Sequence, residues 1–250
     1  MADMIRVPTR AVILCGGETA GYTPARTILP KPLLPVSDRA IIDIIVEQLK
    51  AHGFTDLTLT VGRLASLIQI VLGDGSRHGV SIRYHQEAEP AGTAGALRDL
   101  SGLDDTFLFM NGDVLTALDY RALCRVHKAA GNVLTIAAQE RNVTADYGIL
   151  HVDGLAGDTR RVTGYEEKPM TSHTVSMGVY VCEPEVLKYV DPVGRVELPD
   201  LVLRLVDEGA PVGSFVYDGC WLDCGRQGDY ARAEAEFDRF RSHFLPADAS

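Results

Sequence analysis

What this chain has little of narrows its class first. No apolar run approaches the roughly 20 residues that cross a membrane, and the opening residues MADMIRVPTR hold no apolar stretch of the kind a secretory leader needs. A cytoplasmic protein is expected. Cysteines are few and odd in number, at positions 15, 124, 182, 220 and 224, and most sit inside apolar runs, as reduced buried thiols do. Cys220 and Cys224 have a spacing zinc could use, but no matching pair of Cys or His lies elsewhere at ligand spacing, which argues against a zinc site. Positive charge is in deficit: 24 Lys and Arg against 34 Asp and Glu leave a formal charge of -10, which argues against nucleic acid and membrane surfaces as partners. None of the seven histidines stands with a Ser or Cys in a way that makes a catalytic triad. No internal repeat, linker or low-complexity tract interrupts the chain.

What is present is an ordinary globular composition, 46% apolar and 23% charged over 250 residues. Strand-like and helix-like segments alternate through the first half, the pattern of βαβ units around a parallel sheet. Apolar strands are expected at 11–14, 57–61, 80–84 and 106–110, with amphipathic helices at 40–51, 64–72 and 120–130. A strand at 133–139 follows. The second half has strands at 147–152, 161–167, 175–182 and 212–216 with fewer helices between them, near 185–190 and 198–208, and a closing helix at 229–240. The expected class is α/β: a Rossmann-like, mostly parallel sheet flanked by helices, with a smaller antiparallel part as lid or substrate platform. One domain is favoured.

The organising stretch is AVILCGGETAGYTPARTILPKPLLPV, residues 11–36. A buried strand runs straight into Gly16 and Gly17, which free the backbone to turn and lie against a ligand. Pro30 and Pro32 flank Lys31 and are expected to hold it on an extended segment. Backbone N–H groups followed by a fixed cation suit a triphosphate. Two better-known glycine loops are excluded. Gly16 and Gly21 have P-loop spacing but Tyr22 follows, and a long proline-containing loop stands where the dinucleotide fingerprint needs a helix.

Two acids, Asp113 and Asp223, each end an apolar run beside glycine. Carboxylates converging from separate strands near phosphate donors make a Mg2+ site; the alternative is that each caps a turn. Glu167-Lys168-Pro169 repeats the Lys-Pro device, with Lys168 as a second phosphate contact and Glu167 as an acceptor for sugar hydroxyls, or else as a solvated strand end. Tyr147-Gly148 sets an aromatic face and a bare backbone together, or is packing. Trp221 reads as core.

Taken together these pieces resemble the sugar-1-phosphate nucleotidyltransferases, the makers of NDP-sugars. The family signature, roughly L-A-G-G-x-G-T-R-L-x-P-L-T-x-x-x-P-K-P, aligns without a gap on Leu14 to Pro32. Further family-like blocks follow in order: GDGSRHGV, EPAGTAGAL, NGDVLT, YEEKP, SMGVYV and DGCWLDCGRQGDY. The GTAGAL and SMGVYV blocks look most like the mannose- and heptose-1-phosphate guanylyltransferase branch.

The resemblance implies an enzyme that joins an NTP to a sugar 1-phosphate and releases pyrophosphate. It implies Leu14, Gly16 and Gly17 at the nucleotide, Lys31 at its phosphates, and Asp113 and Asp223 on Mg2+. Lys168 would hold the sugar phosphate, and Glu167, Gly148 and Ser176 would line the sugar site with Tyr147 beside it. Residues up to about 140 would form the nucleotide-binding half and the rest the sugar-binding half, without the C-terminal β-helix of some relatives. A homodimer is compatible with it. The base is read by Glu87, before Gly92: a carboxylate accepts from both N1–H and the 2-amino group of guanine, which favours GTP, while Gln86 keeps a uridine or thymidine reading open. One departure stands out. Thr19-Ala20-Gly21 replaces Gly-Thr-Arg, so an arginine that faces pyrophosphate charge is missing; Arg26 is a candidate substitute. The alternatives to an active enzyme of this kind are a catalytically impaired, ligand-binding regulatory homologue and an enzyme for a cyclitol or modified sugar phosphate.

Overall fold

The computed structural model describes residues 8–16, 29–87, 89–156 and 159–245. Gly17, Thr19, Ala20, Gly21 and Arg26 lie outside them. Strand β1 (Arg10–Leu14), the hairpin β2 (Pro35–Val36) and β3 (Arg39–Ala40), α1 (Ile41–Ala51), β4 (Asp56–Val61), α2 (Ala65–Leu72) and β5 (Ser81–Gln86) come first. Next are β6 (Phe107–Asn111), β7 (Val114–Thr116), α3 (Tyr120–Ala130), β8 (Leu134–Thr144), β9 (Ile149–Ala156) and β10 (Thr159–Glu166). Strand β11 (Met170–Cys182), α4 (Leu198–Asp207), β12 (Val212–Val216), β13 (Trp221–Asp223) and α5 (Gln227–Phe244) complete the order.

Seven strands form one sheet in the order β12-β8-β11-β6-β1-β4-β5. Parallel pairing joins β1 to β4 and β6, β4 to β5, and β12 to β8. Only β11 runs against its neighbours β6 and β8. The chain therefore lays β4 and β5 on one side of β1 and β6 on the other, which opens a crevice at the C-terminal ends of β1 and β6.

The apolar strands are continuous because both faces of the sheet are covered. Ala11 and Ile13 of β1 join one core cluster and Val12 the other, and β6 divides the same way, Leu108 and Met110 against Phe107 and Phe109. Helix α1 packs Ile41, Ile44, Ile45 and Leu49 into the first cluster, while α4 places Leu198, Leu201 and Leu205 in the second.

Two expectations are corrected. The antiparallel part is not laid wholly beside the sheet: β8 and β11 are members of it, and of the second-half strands at 149–182 β9 and β10 form a separate two-stranded ribbon. The segment carrying Lys31 is not extended. Pro30 is extended, with ψ 141°, but Lys31–Leu33 closes a single 3-10 turn, with Leu33 N–H donating to Pro30 O at 2.9 Å and Leu34 N–H to Lys31 O at 3.0 Å. Pro32 sits at an early position of that turn, where its fixed φ fits and its missing N–H costs nothing.

Candidate active site

The crevice is built by a close approach of two strand ends. Gly112, just past β6, donates its N–H to Leu14 O at 2.9 Å, and a Cβ there would lie 2.7 Å from that oxygen and 3.0 Å from Cys15 Sγ. Only a bare backbone lets Asp113 be delivered beside the end of β1. Asp223 arrives from far along the chain through the antiparallel pair β7 and β13, in which Asp223 stands opposite Val114. Cys224 N–H extends the pair to Asp113 O at 2.9 Å.

The two carboxylates converge over Gly225. A Cβ on that glycine would meet Asp113 Oδ2 at 2.8 Å, Asp223 Oδ1 at 2.9 Å and Lys31 Nζ at 3.5 Å. Lys31 Nζ stands 3.6 Å from Asp113 Oδ2. Burial, and with it the negative charge of Asp223, holds the Asp113 carboxyl above the usual carboxylate range against the pull of Lys31. Two carboxylates facing one glycine, with Lys31 beside Asp113 and Arg226 Nε 3.2 Å from Asp223 Oδ2, are the kind of donor set that holds a hard divalent cation, which takes carboxylate oxygens together with ligand phosphate. Asp223 is also held from behind: its N–H donates to Asp229 Oδ2 at 3.2 Å, and its Oδ1 accepts from Gly225 N–H at 3.0 Å.

A cavity of about 500 Å3 opens beside these groups, and Leu14, Gly16, Lys31, Glu87, Gly92 and Asp113 are among its lining residues. Six of the residues singled out in the sequence therefore share one space. Glu87 Oε2 would lie 3.0 Å from a Cβ at Gly16, so the first glycine of the loop is bare where the acid faces it. Burial pushes the Glu87 carboxyl up, opposed by the Ala91 N–H that it accepts. Residues 10–239 match the family described as nucleotidyl transferase.

The chain belongs to the nucleotidyl transferase family. It is 30% identical over 244 residues to a UTP–glucose-1-phosphate uridylyltransferase of Synechocystis, a match covering 90% of this chain and 62% of that protein. A mannose-1-phosphate guanyltransferase of Aspergillus fumigatus is 28% identical over 228 residues, covering 88% of this chain and 62% of that protein. This chain thus spans less than two thirds of the length of either relative. Among solved structures, HddC from Yersinia pseudotuberculosis complexed with GMP-PN superimposes with a TM-score of 0.70 at 22% identity, over 92% of this chain and 100% of that one. That likeness establishes the shared fold. Among the described residues there is no β-helix, and no helix is long and apolar enough to cross a membrane.

The remaining sequence candidates lie outside this cavity. The ribbon pairs Ile149 with Glu166, which brings Tyr147, Gly148, Glu167 and Lys168 to one end of it. Tyr165 lies across Gly148, whose added Cβ would fall 2.1 Å from the phenol oxygen, and the phenol donates to Glu167 Oε2. Lys168 is exposed, with φ +46°, a left-handed conformation that lysine rarely adopts. Tyr147 is 79% exposed. Ser176 hydrogen-bonds Tyr180 Oη at 2.8 Å at a register shift of β11. None of these five is among the lining of the 500 Å3 cavity. Trp221 is core, as expected, with Nε1 donating to Met177 O at 3.0 Å.

Sequence reasoning missed Thr93, Arg195 and Glu197, which also line the cavity. Thr93 lies in a block, EPAGTAGAL, that stands out for its family likeness, with no role given to the threonine. Glu197 gave no local signal, because its partner Thr93 is 104 residues away, and Arg195 pairs with Glu197 itself. Asn111 lines the cavity too, with Nδ2 2.7 Å from where a Cβ on Gly178 would stand.

Proposed function

We propose that the chain is a sugar-1-phosphate nucleotidyltransferase: a phosphate oxygen of the sugar 1-phosphate attacks the α-phosphorus of an NTP, the new P–O bond forms, and the bond to the bridging oxygen breaks to release pyrophosphate. The observation that carries this reading is the meeting of Asp113, Asp223 and Lys31 over Gly225, at the rim of a cavity lined by Gly16 and Glu87. Such a transfer needs positioning and charge neutralisation more than covalent chemistry. Asp113 and Asp223 would hold Mg2+, which when bound neutralises triphosphate charge. Lys31 offsets phosphate charge from the same side. Leu14 and Gly16 bring backbone to the nucleotide, and the family pattern assigns the same role to Gly17, outside the described residues.

Glu87, the carboxylate inside the cavity, favours guanine and hence GTP. The relatives' names divide on this point, one uridylyl and one guanyl. The sugar phosphate is assigned to Lys168, with Glu167, Tyr147, Gly148 and Ser176 about the sugar. In support, Lys168 keeps a strained backbone, which proteins retain mainly at functional positions. On this reading 1–140 is the nucleotide half and 141–250 the sugar half of one cytoplasmic domain. The test is pyrophosphate release from each NTP mixed with a panel of sugar 1-phosphates and Mg2+. GTP with at least one sugar phosphate is expected to react, and silence of folded protein across the panel contradicts the proposal.

One observation favours a second reading, a binding protein that no longer turns over: Gly21 stands where the family pattern has arginine. Restoring Gly-Thr-Arg at 19–21 separates the two. A large gain in rate marks a decayed site, and a loss marks a loop adapted to its own substrate.

A further inference from the structure

The cavity has a wall built from the EPAGTAGAL block and from a strap that no sequence block announced. Residues 90–95 form its glycine-rich rim, and this rim is fastened to the strap 191–198 that leads into α4. Val196 O accepts N–H bonds from both Ala94 and Gly95 at 3.0 Å, and Val196 N–H donates to Ala91 O at 2.8 Å. Gly92 adopts φ +85° with Val196 O 2.4 Å from where a Cβ would be, so its glycine is needed for this docking as well as for any ligand. The strap is held in turn from outside the site. Arg204 forks onto both carboxylate oxygens of Asp191 at 2.7 Å, and Arg98 donates to Asp191 O at 2.7 Å and Gly194 O at 2.8 Å.

At the centre of the join is one carboxylate. Glu197 Oε2 accepts from Thr93 N–H at 3.1 Å and from Thr93 Oγ1 at 2.9 Å, while its Oε1 accepts from Arg195 Nε at 2.7 Å. Thr93 Oγ1 then accepts from Leu198 N–H at 2.7 Å. The hydroxyl is thus donor to the acid and acceptor from the first residue of α4, and it fixes the rim to the helix. Leu198, Leu201 and Leu205 root that helix in the second core cluster.

We infer that Glu197 and Thr93 are positioning residues for the nucleotide: their clasp sets the height of the 90–95 rim above Glu87 and Gly16, and so sets nucleotide affinity without touching the reacting phosphates. This rests on the reading of the cavity as the nucleotide site. The Thr93 N–H, ahead of the Arg195 pairing, holds the Glu197 carboxyl below its ordinary range, so the acid stays charged across the working pH.

The test is calorimetric binding of GTP, UTP and dTTP with Mg2+, in the absence of any sugar phosphate, to the whole chain and to Thr93→Val, Thr93→Ser, Glu197→Ala and Thr93→Val/Glu197→Ala. Thr93→Val keeps the shape and removes the hydroxyl, leaving Leu198 N–H without its acceptor. It should weaken the best-bound nucleotide about tenfold, as loss of a charge-assisted bond does, while Thr93→Ser stays within about twofold. Glu197→Ala should weaken binding similarly, and the double variant no further than the worse single one, because both break the same clasp. In turnover assays the nucleotide KM should rise with kcat and the sugar-phosphate KM little changed. If wild-type chain binds GTP and folded Thr93→Val binds it equally, the clasp is only structural and the inference fails. If wild-type chain binds none of the three nucleotides, the cavity reading itself falls and takes this inference with it. Should Glu197→Ala fail to fold, the Thr93 pair still decides.

Discussion

Single residues at the crevice are set in opposition, and the sign of each effect can be worked out. Asp113 titrates above the ordinary carboxylate value. In the metal-free protein its charged form is therefore disfavoured by folding, and stability is lost as pH rises through the raised value. Asp113→Asn should raise the thermal midpoint at pH 7 in EDTA while lowering turnover roughly 10²–10³-fold, as loss of one charge-stabilising group does. Equal midpoints in EDTA would contradict the burial of charge at this site. Glu87 carries the base reading: Glu87→Gln should lower the preference for GTP over UTP by about tenfold or more, since an amide cannot accept two hydrogen bonds from guanine on one edge as a carboxylate does. An unchanged ratio of kcat/KM values removes Glu87 from base recognition. Lys31 and Asp113 were legible in the sequence because each has a local signature of proline, glycine or a strand end, and Glu87 only through the family resemblance, by its place before Gly92. Glu197 was not, because its meaning depends on Thr93 and no spacing along the chain announces that pair.

At the scale of elements, the sheet was readable and the join of its two halves was not. Strands β1, β4 and β6 announce themselves as apolar strands and α3 as an amphipathic segment, to which the structure adds the cap of Asp119, whose Oδ1 accepts the N–H groups of Arg121 and Ala122. Strands β7 and β13 have three residues each, too few for any period to show, yet they bring Asp223 to Asp113. Gly112 is the hinge of that arrangement. Gly112→Ala puts a methyl against Leu14 O, which its own N–H holds in place, and should cost about 1–3 kcal/mol by overpacking, read as a lowered urea midpoint. No loss of stability would mean the two strand ends can part. A second join lies at the opposite end of β6, where the buried His127 ring bonds Thr135 Oγ1 at 2.8 Å and Glu183 Oε1 at 3.0 Å. Burial keeps His127 below its ordinary value despite Glu183. Burial also acts on Glu183, but the bonds from Lys128, His127 and Thr106 outweigh it and hold the acid low. Both shifts act in the same direction. The unfolded chain takes up protons near pH 6.5 at His127 and near 4.5 at Glu183, so stability present at pH 7.5 falls as pH drops through those values. His127→Gln should flatten the slope of thermal midpoint against pH between 7.5 and about 5, and an identical slope would place the titration elsewhere.

Over the whole molecule, the sheet is a frame whose carboxyl edge carries the acids, the lysine and the cavity, and β8, parallel to β6, runs out past that same edge before the chain enters the ribbon. The fold class follows from alternating apolar segments, and the main departure, β8 and β11 lying within the large sheet, arises because long strands continue past the region where burial makes their pattern visible: beyond Ala138 the residues of β8 become progressively more exposed. Asp113 and Asp223 converge beside Lys31 and Arg226, and a divalent cation held by both would offset their mutual repulsion and the burial of Asp113. Mn2+ titration followed by its paramagnetic signal, with and without GTP, tests this most directly. The wild-type chain should bind one ion tightly when GTP is present, and Asp113→Asn/Asp223→Asn should bind it at least roughly tenfold more weakly. Equal Mn2+ binding by the two proteins would contradict the account.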